Sequence, residues 1–202
     1  MVIAPLVLPL LLAKPVPPPP PSRMHKLARL LELEDTRSAG ELDRLLRDPD
    51  RSIRRRAALA AGRLGDRSLV PTLVDLMNDG EAEVRQMAAF ALGLVGDPKA
   101  ADRLLASLKD TEPIVRARSA EALGRLGDPS VAPNLAAFVV EQAPPVPGVI
   151  TIRGDNPGDP RDPWVELRLA LFSLLRLKDA RATATALLAG SEPRFDWWAA
   201  VF

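Results

Sequence analysis

From Asp48 onward the chain repeats itself every 31 residues, and a repeat of that length restricts the fold more than any other feature it carries. Asp48, Asp79 and Asp110 open three copies, and Arg54, Arg85 and Arg116 follow at the same offset in each. Every copy closes on a glycine-bounded segment before an aspartate: Gly62 to Asp66, Gly93 to Asp97, Gly124 to Asp128. Three in-phase copies at a period between about 20 and 50 residues mark a stacked array, in which no unit buries its apolar face alone. Such arrays mostly present binding surfaces, so a catalytic reading needs support of its own.

One unit shows how the local chemistry works. Leu69-Val70-Pro71-Thr72-Leu73-Val74-Asp75-Leu76-Met77 carries apolar residues at helical spacing, with Pro71 tolerable in the first turn. Asn78-Asp79-Gly80 interrupts it, and Glu81 to Val95 reads as a second helix with Val84, Ala88, Ala89, Leu92 and Val95 as its buried stripe. Gly96 suits the left-handed position that ends a helix, and Asp97 suits the cap of the next. Each unit is therefore a helical hairpin. Ala, Leu and Arg dominate the composition and aromatics are only 4%, which favours helices packed closely through small side chains.

The pattern Leu-x-x-Leu, then Asp, Val-Arg, Ala-Ala and a closing Leu-Gly-x-Leu-Gly-Asp resembles the HEAT-like repeats of the short type found in bilin lyases. The resemblance is strongest over residues 38–140. It implies an all-α, right-handed α-solenoid of stacked hairpins, with the second helix of each hairpin on the concave face. It supplies no identifiable chromophore site. The di-iron hydroxylases built on similar repeats use several His-Glu pairs, and this chain has one histidine, His25, beside Lys26.

The predicted organisation is an apolar segment 1–13, a Pro-rich linker 14–22 and a repeat array 23–202. Within the array the frame gives a cap helix 23–34 and units 38–65, 69–96, 100–127 and 131–178. The fourth unit carries an inserted loop, 143–162, and a truncated fifth unit covers 180–202. Residues 1–13 have the length of an export signal's hydrophobic core but lack a positive start and a clean Ala-x-Ala site. Two readings follow: an exported or periplasmic protein if the segment is a signal, a cytoplasmic one otherwise. At 13 residues it is too short for a stable membrane span. The end at Trp197, Trp198, Val201 and Phe202 is apolar where a terminal repeat is normally polar. It reads as a fragment or, alternatively, as an end through which the chain self-associates. The interrupted fourth hairpin and Arg194-Phe195-Asp196-Trp197-Trp198 resemble the N-terminal module of bacterial HEAT-repeat proteins of the cyclophilin-type peptidyl-prolyl isomerase kind. No residue of that catalytic domain lies in these 202 positions.

Composition removes several chemistries. With no cysteine, disulfides, thiol nucleophiles and thiolate metal sites are absent, and a single histidine argues against a histidine metal site. No catalytic residue, cofactor or metal is expected. The net charge of +1 gives no general attraction to nucleic acid. The cluster Arg51, Arg54, Arg55, Arg56, Arg63 and Arg67 is interleaved with acids and lacks aromatics, so a nucleic-acid partner is disfavoured.

The pairs Asp48/Arg54, Asp79/Arg85, Asp110/Arg116 and Asp162/Arg168 recur in four units and read as a structural ladder, within or between units, that ends where Gly190 and Asp196 take these positions in the fifth. A feature repeated in unit after unit cannot by itself mark one site. Function belongs where the units differ. One stripe of the second helix reads Ser52, Arg56, Leu59, Arg63 in the first unit. It reads Glu83, Met87, Phe90, Leu94 in the second and Ile114, Arg118, Glu121, Arg125 in the third. Drift on a solvated face is one explanation. The other is a protein or peptide groove, with Met87, Phe90 and Leu94 rimmed by Arg56, Arg63, Arg118, Glu121 and Arg125. The inserted loop adds a second candidate contact: Val149 to Arg153 suits a short strand, and Asp155 to Asp159 offers oxygen ligands without a recognised calcium spacing. Trp164 reads as the anchor of its return. The expected function is a non-catalytic protein- or peptide-binding scaffold.

Overall fold

Each unit begins where a Gly-Asp pair turns the chain. Gly65, Gly96 and Gly127 adopt φ of 71°, 67° and 74°, the left-handed region in which a Cβ crowds the backbone. The aspartate that follows accepts a hydrogen bond from the amide two residues on: Asp66 from Ser68 at 2.8 Å, Asp97 from Lys99 at 3.0 Å, Asp128 from Ser130 at 2.9 Å. Each caps a short 3-10 turn (Arg67–Leu69, Pro98–Ala100, Pro129–Val131) that leads into the first helix of its unit.

A computed structural model describes residues 21–36, 38–142 and 165–179. The apolar start 1–13, the Pro-rich stretch to residue 20, the inserted loop with Asp162 and Trp164, and the unit 180–202 lie outside the described residues. Among those described there are nine α-helices and no strand: α1 (Arg23–Thr36), α2 (Ala39–Leu46), α3 (Arg51–Leu64), α4 (Val70–Leu76), α5 (Ala82–Val95), α6 (Ala101–Ser107), α7 (Pro113–Leu126), α8 (Ala132–Gln142) and α9 (Val165–Leu177). Helices α2 and α3, α4 and α5, and α6 and α7 pair as three successive hairpins. The fold is an all-α solenoid.

Helices α3, α5, α7 and α9 pack on one another in succession, and α1 packs on the outer side of α3. Helices α2, α4, α6 and α8 form a second layer, each resting on the second helix of its own unit and only sparsely on its neighbours. Ala57, Ala58, Ala60 and Ala61 of α3, with Ala88, Ala89 and Ala91 of α5, are fully buried between successive second helices. Leu42, Leu46, Leu73, Met77 and Leu104 fill the space between the layers. The stack is therefore held together chiefly through α3, α5, α7 and α9.

The tightest approach is made at glycine. A Cβ placed on Gly62 stands 2.8 Å from Cα of Ala91, and one on Gly93 stands 2.8 Å from Cα of Ala122. Glycine inside a helix costs about 1 kcal/mol against alanine. Here it lets α3 reach α5, and α5 reach α7, at backbone contact. Gly124 meets Ser173 of α9 in the same way. Ser173 turns its hydroxyl back to the Leu169 carbonyl at 2.8 Å, so no polar atom is stranded in that crossing.

Helix α1 runs two residues beyond the predicted cap helix. Leu30 and Leu33 bury its inner face. His25 is exposed in the first turn, where Ser22 Oγ accepts the His25 amide at 3.3 Å and lies 2.8 Å from Nδ1. Arg29 grips Glu41 of α2 through two hydrogen bonds, at 2.9 and 2.7 Å. The helix is thus tied to the first unit by charge as well as by packing.

Candidate partner-binding surface

The recurring polar residues resolve into a ladder that runs between units. Arg54 donates from Nε and Nη2 to both carboxylate oxygens of Asp79, at 2.7 and 3.0 Å, while its Nη1 reaches the Asp48 carbonyl at 2.9 Å. Arg85 repeats this on Asp110, at 2.9 Å twice, and on the Asp79 carbonyl at 2.9 Å. Each arginine therefore holds the carboxylate of the following unit and only the backbone of its own. Each aspartate also accepts the amide two residues ahead: Asp48 from Asp50, Asp79 from Glu81, Asp110 from Glu112, all at 2.9 Å. Burial opposes ionisation of Asp79, but the Arg54 guanidinium and the Glu81 amide outweigh it and hold its carboxyl below the ordinary carboxylate range. Burial, Arg85 and the Glu112 amide do the same at Asp110.

Both ends of the ladder depart from the period. Arg116 donates to Glu166 of α9 and to the Asp110 carbonyl, the latter at 2.7 Å. Asp162 is outside the described residues, and Arg168 lies half-buried on α9. At the other end Arg23 stands one period before Arg54, but Lys26 takes Asp48, at 2.5 Å. Arg23 instead meets Asp50 at 3.2 Å. The stagger of α1 on α3 brings the lysine, one turn further along, over the carboxylate.

The variable stripe separates into parts. Arg56, Arg63 and Glu83 are exposed, and Ser52, Leu59, Met87, Phe90 and Leu94 are half-buried. Ile114 is a correction: it is only 9% exposed, packed with Val115, Ala117, Val165, Leu169 and Ala82. It sits in the first turn of α7, where the start of α9 covers it. The three residues after it on the stripe form one connected group with α5. Arg118 and Arg125 place their guanidinium carbons 5.2 and 5.4 Å from the centre of the Phe90 ring. Glu121 lies between them, accepting from Arg118 at 2.7 Å and from Arg125 at 2.8 Å. The stem of Arg125 crosses α5 beside Gly93, and Leu94 lies over Gly62 in the corresponding place one unit earlier. Close helix approach is thus what lets side chains of one unit reach across its neighbour.

This arrangement fixes an aromatic face and two cations in one geometry, with a single carboxylate shared between them. The guanidiniums are already oriented by Glu121 and by the ring, so a partner carboxylate or aromatic group meets donors whose rotamers are largely set. Arg51 belongs elsewhere, paired with Glu81 at 2.9 Å, and Arg54 is in the ladder. The N-terminal arginine cluster is therefore dispersed over separate surfaces. Among the described residues no group of three His, Asp or Glu side chains is placed to hold a metal ion, and no helix is long and apolar enough to cross a membrane.

Sequence reasoning missed two kinds of contact. Arg103 donates to the Met77 carbonyl and to Asn78 Oδ1, both at 2.7 Å, which ties α6 to the preceding unit. Arg47 donates to Thr72, whose hydroxyl donates to Asp43, which joins α2 to α4. The two sets use the same pair of positions one period apart, Arg47 with Thr72 and then Asn78 with Arg103, but with different residue types, so no repeated residue pattern signalled them.

The family model for HEAT repeats matches residues 38–112 and again 70–147. The chain belongs to the HEAT-repeat family. The two matches together span more than half of the 202 residues and cover α2 to α8. They include the ladder from Asp48 to Arg116 and the whole Phe90 group, so the candidate surface is a HEAT-repeat surface. HEAT repeats are commonly protein-interaction scaffolds. No curated protein matches the chain.

Proposed function

We propose that this HEAT array is a non-catalytic scaffold that binds a protein or peptide along its second helices. The contact surface is Met87, Phe90 and Leu94 of α5 together with Arg118, Glu121 and Arg125 of α7, extended by Arg56 and Arg63 of α3. The observation that carries the reading is the Phe90 group. Positions that maintain the stack repeat from unit to unit, whereas this stripe changes between neighbouring units (Arg56, Met87, Arg118; Leu59, Phe90, Glu121; Arg63, Leu94, Arg125), and its α7 arginines converge on the Phe90 ring of α5. An aromatic side chain with flanking arginines is the composition that dominates binding energy at protein interfaces. The inserted loop 143–162 belongs to the same reading as a second contact.

Affinity capture tests it. The full chain and its Met87→Glu/Phe90→Glu variant are immobilised at equal folded concentration, checked by circular dichroism. Partners retained by the first and lost by the second support the surface. Arg125→Glu provides a second variant that keeps the Met87 and Phe90 side chains and reverses one charge of the group. Equal retention by all three proteins removes the groove from consideration.

A further inference from the structure

Helix α1 has two apolar faces, and only one of them is used. Leu30 and Leu33 are buried against the array, but Met24 is 73% exposed and Leu31 58%. Met24, Leu27 and Leu31 fall at helical spacing and floor a groove of about 450 Å³ between α1 and α3, whose far wall is Ser52, Arg55 and Arg56. No carboxylate lines this groove, and neither Arg55 nor Arg56 makes an ion pair among the described residues. Arg23, at the mouth, shares Asp50 and remains 61% exposed. The result is an apolar floor eight residues long, Met24 to Leu31, beside three cations with one acid among them.

We infer that this groove is a docking site for an acidic amphipathic helix of a partner protein. Met24 to Leu31 spans about 10 Å along α1, two turns of helix at 1.5 Å per residue. A partner helix of that length sets apolar side chains three and four residues apart onto Met24, Leu27 and Leu31. Its carboxylates then meet Arg55 and Arg56, the pairing that the uncompensated charge of this wall selects. Ser52 and Arg56 also open the variable stripe, so the groove is continuous with the surface proposed above while its floor is separate from it.

A phage-displayed library of random twelve-residue peptides, selected on the full chain, tests the assignment. Enriched peptides are expected to combine apolar residues three or four apart with at least two carboxylates. Their synthetic versions, followed by fluorescence anisotropy, should bind the Leu31→Glu/Arg55→Glu variant at least about tenfold more weakly, a ratio set by one lost apolar contact and one reversed charge. Met87→Glu/Phe90→Glu should bind them as the parent does, which separates this groove from the other surface. Enrichment of neutral or basic peptides, no enrichment, or binding unchanged by Leu31→Glu/Arg55→Glu overturns the proposal. A photo-crosslinking residue at position 31 identifies the occupant directly. Crosslinks to the added acidic peptide support the assignment; crosslinks to residues 1–13 of the same chain, or to a second copy, overturn it.

Discussion

Gly93→Ala adds one methyl group at the crossing of α5 and α7, and it should destabilise the array although it raises helix propensity. The new Cβ stands 2.8 Å from Cα of Ala122, 2.9 Å from its Cβ and 3.2 Å from Cδ of Arg125. The arginine stem can swing aside, but both Ala122 atoms are fixed to the backbone of α7. Carbon atoms pack at about 3.5–4.0 Å, so the two helices must part locally by something near 1 Å. That separation loosens the fully buried contacts of Ala88, Ala89, Leu92, Ala120 and Leu123. Overpacking of this kind costs about 1–3 kcal/mol, and the Gly-to-Ala propensity gain returns about 1 kcal/mol at most. The net expectation is a loss of up to about 2 kcal/mol. Gly40 on α2 is the matched control, since a Cβ there meets nothing within 4 Å. Gly40→Ala should stabilise by up to about 1 kcal/mol. Urea unfolding followed by far-ultraviolet circular dichroism reads both, with the slope checked so that a midpoint shift reports stability. Stabilisation by Gly93→Ala would refute the close-approach argument.

The ladder gives two further predictions. Arg85→Lys keeps the charge but loses the two-pronged grip on Asp110 and the bond to the Asp79 carbonyl; it should cost about 1–3 kcal/mol in urea unfolding, and a neutral result would show the ladder to be ornamental. Asp79 and Asp110 titrate below the ordinary carboxylate range in the folded array, so the stabilisation they give is complete above the unfolded value of about 3.9. It is lost as pH falls from there through the lower folded values. The melting temperature should therefore hold near neutrality and drop below about pH 4, and Asp110→Asn should be less stable at neutral pH with a shallower acid limb.

The period made the hairpins legible because the residues that stop and start helices are themselves periodic: Gly96 and Asp97 perform in the structure the roles their chemistry suggests. It could not choose the direction of the ladder. Arg54 stands six residues after Asp48 and 25 before Asp79, and the two separations add up to one period, so both pairings recur equally in sequence. Geometry decides, because the cap turn aims the Asp48 carbonyl, rather than its carboxylate, at Arg54. The closest helix crossings were hidden for another reason: Gly62, Gly93 and Gly124 are in phase, yet a helical glycine signals either weakness or contact until its neighbour is known. Ile114 was misplaced because the stripe follows one helix, and burial depends on where the next helix starts. The Phe90 group was half legible. Its members were on the stripe, but the reach of Arg118 and Arg125 across α5 depends on the Gly93 crossing. The groove at α1 had a signal, the Met24, Leu27, Leu31 spacing, which the capping role of the helix obscured.

The central claim is that residues obeying the period hold the stack while the stripe that breaks it holds a partner. The most direct measurement is the amount of partner retained per folded molecule by Arg85→Lys and by Met87→Glu/Phe90→Glu, side by side with the parent chain. The ladder variant should melt lower yet retain partner at the parent level. The stripe variant should keep its helical circular dichroism and retain little. If the stripe variant retains partner as the parent does, or if the ladder variant loses it while still folded, the division between scaffold and binding surface is wrong.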